Sequence, residues 1–272
     1  MIDAWMQHPN AHFLAQPWLA SLQRWTRQVD GFAVPTLADT VAAMDAAGVE
    51  RGVLAAWHGP QGVLISNEEV AQCVAAYPGR FIGLASVDLF RPMDAVRELR
   101  RCVTELGFRG LRVVPWLWGL PPDDRRYYPL YAECVALGVP FCTQVGHTGP
   151  LLSSGPGRPI PYLERVALDF PELTIVGGHV GAPWTQEVIS LAHKFPNVYL
   201  DTSAYKCTRL PADFVSFLRD GGARKVLFGS NYPMLTPAEC LRGWEALALS
   251  DRDAARVLHD NAVAVFGLEH AA

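Results

Sequence analysis

Two histidines stand in matching places along the chain. His147 lies in QVGHTGP and His179 in GGHVGAPW, each at the first polar position past an apolar run and each close to glycine. Asp201 in YLDTSAY and Asn231 in KVLFGSNYPM occupy the same kind of position in the next two units. Earlier in the chain, His58 in AWHGPQG and Trp5, Gln7 and His8 in IDAWMQH do likewise. Neutral imidazoles hold divalent metals and move protons near neutral pH, and a neighbouring carboxylate serves as base or ligand. Each residue alone has a plainer reading. A loop histidine is often only hydrogen-bonded where it sits, and Asp201 has the option of capping the turn that follows it. The amide of Asn231 neither carries charge nor takes up a proton, so it contributes hydrogen bonds alone. Arg112, inside GLRVV, puts a cation in an apolar strand. There it either pairs with a buried acid such as Asp3 or grips a substrate carboxylate. Arg158 is a second candidate for that grip.

Bringing these positions together requires a scaffold that gathers strand ends. Helical stretches end in Ala47-Gly48, Leu106-Gly107 and Leu137-Gly138, and three more end in Tyr77-Pro78, Phe170-Pro171 and Phe195-Pro196. Glycine supplies the left-handed residue that closes a helix, and proline cannot continue one. After each comes an apolar, β-rich run. IDAWM opens the series and KVLFG closes it. The reading is eight short strands, covered on both faces, with amphipathic stretches between them. Eight strand-helix units in 272 residues predict an α/β fold, a single-domain (β/α)8 TIM barrel over residues 1–272. An open doubly wound sheet is the other candidate, but the G-x-G-x-x-G turn after the first strand is missing. Residues 9–35 break the rhythm with Phe13, Trp18, Leu22, Trp25 and Phe32. Emerging after a strand, this insertion is read as a lid over the barrel mouth or an oligomer contact, with a plain helical cap for the barrel edge as the alternative.

Composition narrows the partners. Half the chain is apolar and only 18% is charged, with eight tryptophans and a formal net charge of −4. That balance leaves no footprint for nucleic acid or an anionic membrane, and it favours a large core with a buried subunit contact. Six scattered cysteines without a C-x-x-C pair read as small apolar residues of a reducing compartment. With no basic-then-apolar N-terminus and no long uncharged apolar run, the expected location is cytoplasmic.

Taken in order, NEEVAQCVAAYPGRFIGLASVDL, GFRGLRVVPW, YYPLYAECVALGVPF, GHTGP, DFPELTIVGGHVGAPW, FPNVYLDTSAY and KVLFGSNYPM resemble the amidohydrolase-related family. That family includes aminocarboxymuconate semialdehyde decarboxylase and related hydratases and hydrolases. The resemblance spans nearly the whole chain. It implies a divalent metal at the barrel mouth, zinc first, with iron or manganese as alternatives. The implied ligands are an H-x-H pair on strand 1, a histidine after strand 5 and an aspartate after strand 8, with a proton-handling histidine after strand 6. By that pattern His147 is the strand-5 ligand and His179 the strand-6 histidine.

The rest of the pattern has changed. Trp5 cannot ligate, Gln7 offers a neutral carbonyl, and His8 falls one position late. Because side chains alternate along a strand, His8 is expected to point away from the Trp5/Gln7 face unless the strand end bulges. Asn231 stands where the family has its aspartate. The expected metal set is therefore rearranged: His8, His147 and His179, with Asp201 as a substitute carboxylate. His179, Asp201 and Asn231 are the candidate catalytic residues, and Trp5, Gln7, His58, Arg112 and Arg158 the candidate substrate contacts. Two functions follow from the resemblance. One is a divergent metal-dependent hydrolase or decarboxylase acting on a small carboxylate-bearing substrate. The other is a partner subunit, in a homo- or hetero-oligomer, to an amidohydrolase-like chain that keeps the full metal site. In the second case a metal-dependent oxygenase is included.

Overall fold

The apolar runs form eight parallel strands: β1 (Ile2–Met6), β2 (Arg51–Ala55), β3 (Phe81–Leu84), β4 (Leu111–Arg112), β5 (Phe141–Gln144), β6 (Ile175–Gly178), β7 (Val198–Asp201) and β8 (Val226–Leu227). The computed structural model describes residues 1–26 and 31–268. Strands β1 to β3 pair in order, and so do β4 to β8. Parallel bridges between Ala85 and Leu111, and between Met6 and Tyr232, join the two ribbons at both seams. Backbone bonds reinforce the second seam, with Ala4 N donating to Phe228 O at 2.8 Å and Asn231 N to Trp5 O at 2.8 Å. The result is a closed (β/α)8 barrel, as the sequence predicts.

Helix ends fall where the chain's punctuation puts them. Gly48, Gly107 and Gly138 adopt φ of 70°, 70° and 65°, and Tyr77, Phe170 and Phe195 each terminate a helix ahead of proline. At the N-termini, Thr36 with Asp39, Ser66 with Glu69 and Thr236 with Glu239 form reciprocal capping boxes. Between the helices and the barrel wall lie wholly buried side chains such as Leu99, Leu130, Tyr131 and Phe141. Each contributes about 1.5–3 kcal/mol through the area removed from water. The six cysteines are free and buried within this packing.

β1 departs from ideal register. Asp3 pairs with Gly52 but Met6 with Leu54, so one extra residue is accommodated between them. Met6 faces outward, where a side chain on Gly52 would meet its sulfur at 2.6 Å. Asp3, Trp5 and Gln7 are buried and bond across to the β8 end, on the opposite face of the strand from Met6.

Beyond β1 the chain forms two short helices, Ala11–Leu14 and Ala20–Trp25. Asn10 caps the first by accepting from Phe13 N at 2.8 Å. The segment is tied to the loop after β5: Ser21 Oγ donates to Gly149 O at 2.5 Å, and Leu151 N donates to Trp18 O at 3.0 Å. Residues 27–30 of the expected insertion lie outside the described residues. After β2 the chain adds an antiparallel hairpin, Trp57–Gly59 with Gly62–Ile65. Within AWHGPQG, Gly62, at φ 119°, is what lets the chain fold back so tightly.

Candidate active site at the barrel mouth

A cavity of about 1110 Å³ opens over the C-terminal ends of the strands. Its upper wall is aromatic. Trp18 stacks on Trp57 with centroids 6.5 Å apart, Trp116 meets Trp18 edge-on at 5.3 Å, and Phe13 meets Trp57 at 5.0 Å. Phe13, Trp18, Leu22 and Trp25 come from the segment after β1. Trp116 is fixed by donating from Nε1 to Gln144 Oε1 at 2.6 Å, and Gln144 Nε2 donates to His147 O at 3.1 Å. Flat, rigid walls of this kind suit a flat, apolar ligand body.

The polar end of the cavity is built by β6 and β7. Asp201 is fully buried at the end of β7, and its Oδ1 accepts from Ser203 N at 2.8 Å, His179 N at 3.2 Å and Ser203 Oγ. Ser203 Oγ also lies 2.6 Å from His179 Nδ1. Since the Ser203 hydroxyl hydrogen goes to Asp201, the bond to Nδ1 requires Nδ1 to carry the imidazole proton. Nε2 is then the basic nitrogen, and it has no protein partner among the described residues. Burial, with Arg112 nearby, pushes the His179 imidazole down to about 3, so it is neutral at physiological pH. Burial likewise raises Asp201 to about 6 against the hydrogen bonds that oppose the shift. Its Oδ2 is buried without a partner. His179, Val180 and Asn231 have φ of 75°, 51° and 70°, a region that side-chain-bearing residues seldom adopt.

Beside this group, Trp5 fills the barrel interior. A side chain on Gly178 would meet its ring at 2.7 Å, and one on Gly229 would meet its Cβ at 3.1 Å. The Trp5 ring stands edge-on to His179 at 5.1 Å and stacks against the Arg112 guanidinium, whose carbon is 4.4 Å from the centroid. Arg112 is 2% exposed. Its Nη2 donates to Met6 O at 2.8 Å and to Gln7 Oε1 at 3.3 Å, while Nε and Nη1 are buried unpartnered. Gln7 Nε2 in turn donates to Asn231 Oδ1 at 3.2 Å and to Tyr232 O at 2.5 Å. The expected ion pair between Arg112 and Asp3 is absent. Asp3 Oδ1 instead accepts from Trp5 N and Ser230 N, at 3.1 and 3.0 Å. Burial raises Asp3 to about 7 and lowers Arg112 to about 9.

Other sequence candidates lie elsewhere. His8 turns outward and meets Thr40 Oγ1 at 2.9 Å, because the parity of β1 persists past its bulge. His58 belongs to the added hairpin and stacks on Trp118 at 5.9 Å. Arg158 pairs with Glu187 at 2.9 Å rather than reaching the cavity. His147 does line the cavity, but at its exposed edge near Trp25, with Nδ1 3.4 Å from Ser154 Oγ. The rearranged set of His8, His147 and His179 is therefore not assembled. Among the described residues no three His, Cys, Asp or Glu side chains come together as a metal site. With the Trp5 ring on β1 and an amide at Asn231, the residues present do not fit the family's metal.

Sequence reading passed over Gln144, Ser203 and the rim residues Lys206, Arg209 and Arg242. Gln144 had a signal, as the one amide ending the apolar FCTQV run; Ser203 had one in D-x-S, a pattern in which a carboxylate accepts from the residue two ahead. The rim had none.

Comparison with known proteins agrees with this architecture. A TIM-barrel protein from Bordetella bronchiseptica, described only as uncharacterized, superposes with a TM-score of 0.84 at 31% identity, covering 98% of both chains. A dihydroxybenzoic acid decarboxylase from Polaromonas, solved with manganese and the inhibitor 2-nitroresorcinol, gives 0.75 at 23% identity over 99% of this chain and 97% of that one. The gamma-resorcylate decarboxylase of Rhodococcus jostii is 27% identical over 255 residues, covering 75% of this chain and 76% of its own. The sequence model described as Amidohydrolase matches residues 2–268, and the chain belongs to that family.

Proposed function

We propose that this chain is a carbon–carbon lyase of the decarboxylase kind, acting on a small planar carboxylate held between the cavity tryptophans. One observation carries the reading: the Asp201–Ser203–His179 chain, which orients a neutral imidazole with its basic nitrogen left for the cavity. Decarboxylases among the relatives support the reaction class, and the aromatic wall supports a flat substrate.

The chemistry needs one proton. A carboxylate entering beside His179 favours the imidazolium, opposing the burial that keeps the free ring neutral. The bond from the substrate carbon to its carboxylate breaks and carbon dioxide leaves. The bonding electron pair ends in a new C–H bond, formed with the proton from Nε2, and solvent reprotonates His179. Ser203 and Asp201 hold the ring and stabilise its charged form.

Carbon dioxide release from 2,6-dihydroxybenzoate and 5-carboxyvanillate, which occur in the names of solved relatives, tests this directly. Activity lost in His179→Ala supports the reading; release at the wild-type rate in that variant rejects it. A second reading, the partner subunit, draws on Trp5 and Asn231 standing where metal ligands are expected. It requires the isolated chain to be inert and to raise turnover only when mixed with a metal-bearing family member.

A further inference from the structure

We propose that Arg112, Gln7 and Asn231 form a one-directional hydrogen-bond relay that makes the end of β8 a receptor for a negatively charged substrate oxygen. The inference rests on the reading of the cavity as the substrate site, and it names the chemical class that site selects.

Arginine has donors only. With Arg112 Nη2 aimed at it, Gln7 must turn Oε1 toward the guanidinium and Nε2 away. Reversing the Gln7 amide would set its NH₂ group against the arginine, and its oxygen against Tyr232 O and Asn231 Oδ1. The orientation of Gln7 then fixes Asn231, whose Oδ1 is taken by Gln7 Nε2. What remains is Asn231 Nδ2, with two hydrogens and no partner among the described residues, on a residue that lines the cavity. A cation at one end of the chain has thus become a donor at the other. Each link polarises the next in the same sense.

The charge behind the relay has no carboxylate in direct contact, although the buried acids Asp3 and Asp201 act on it from a distance. Arg112 is almost fully buried, two of its nitrogens lack partners, and no carboxylate hydrogen-bonds to it. Lys206, Arg209 and Arg242 add positive charge at the rim, Lys206 being paired with Glu239. A half-buried donor backed by a guanidinium with no hydrogen-bonded carboxylate favours a carboxylate, enolate or phenolate oxygen and disfavours a cation. Aspartate at 231 would reverse that polarity.

The test is equilibrium binding, read by quenching of the cavity tryptophans, with benzoate, neutral benzamide and cationic benzamidine as probes. The wild-type chain is expected to bind benzoate at least about tenfold more tightly than benzamidine, as a charge-assisted bond implies. Asn231→Asp should invert the order. Gln7→Glu should also invert it without changing residue 231, since the new carboxylate would hold Arg112 and force the Asn231 amide to turn over. Asn231→Ala should erase the preference for benzoate over benzamide, and thermal melts identify any variant that is unfolded. No benzoate binding by the wild-type chain, no preference for it, or an unchanged preference in folded Asn231→Asp and Asn231→Ala would overturn the relay. Binding is read without any release of carbon dioxide. A chain that selects benzoate yet releases none from its carboxylates keeps the relay and loses the lyase assignment.

Discussion

The guanidinium of Arg112 stacks on the ring of Trp5 at 4.4 Å, and it makes no hydrogen bond to a carboxylate. A barrel built for stability alone has little use for such an arrangement. Arg112→Met is therefore expected to cost no more than about 1 kcal/mol in urea unfolding, because removing a buried charge offsets the bonds lost at Met6 O and Gln7 Oε1. Benzoate affinity should fall at the same time by about tenfold or more. A large loss of stability with ligand affinity intact would mean that Arg112 is a structural brace.

Metal loading should follow the ligand count. After incubation with manganese or zinc and gel filtration, Asn231→Asp alone is expected to retain no stoichiometric metal by elemental analysis. Trp5 still fills β1 and Gln7 still offers only an amide in that variant. Histidines at both positions together with Asn231→Asp are the minimum that should change the result. A full equivalent on the single variant would refute the geometry described for β1.

Ser203 should behave as a positioning residue for His179. Removing the imidazole in His179→Ala is expected to lower decarboxylation by about 10²–10⁴-fold. Ser203→Ala should cost less, and it should shift the pH profile of turnover by releasing Nδ1 from its oxygen partner. An unshifted profile would assign Ser203 to loop structure only.

Stability should depend on pH through Asp3, whose carboxyl is raised from its ordinary value to about 7 by burial. The folded state then holds a proton that the unfolded state has released, so the contribution is full below about pH 4 and is lost as pH rises to about 7. Asp201 acts in the same direction up to about 6, while His179, lowered to about 3, acts oppositely between 3 and 6.5. Asp3→Asn isolates one group. Its melting temperature relative to wild type should climb between pH 4 and 7 and stay level above, as measured by calorimetry across that range. A constant difference would show that Asp3 titrates normally.

What was legible in the sequence was whatever depends on near neighbours. Ala47-Gly48 and Phe195-Pro196 mark helix ends because their backbone preferences act within a residue or two, and six such marks, each followed by an apolar run, imply the barrel. The outward turn of His8 was readable from strand alternation, which survives the local slip in β1. The fate of Arg112 was not readable. Its partners Met6 and Gln7 lie 106 and 105 residues away, and nothing local distinguishes an amide acceptor from the acid Asp3 as its neighbour. Ser203 was missed for a related reason: its role is set by where the ring of His179 arrives, 24 residues earlier in the chain.

The left-handed backbone at His179, Val180 and Asn231 sets stability against the proposed chemistry at two of these positions. Each such residue holds on the order of 1–3 kcal/mol of strain. Glycine would relieve it at any of the three, but at 179 or 231 it would also delete the proton carrier or the amide donor that we propose. On the proposed function, selection for heat resistance at those two positions is selection against turnover, and a hardier descendant of this chain would have to find its extra stability elsewhere in the barrel.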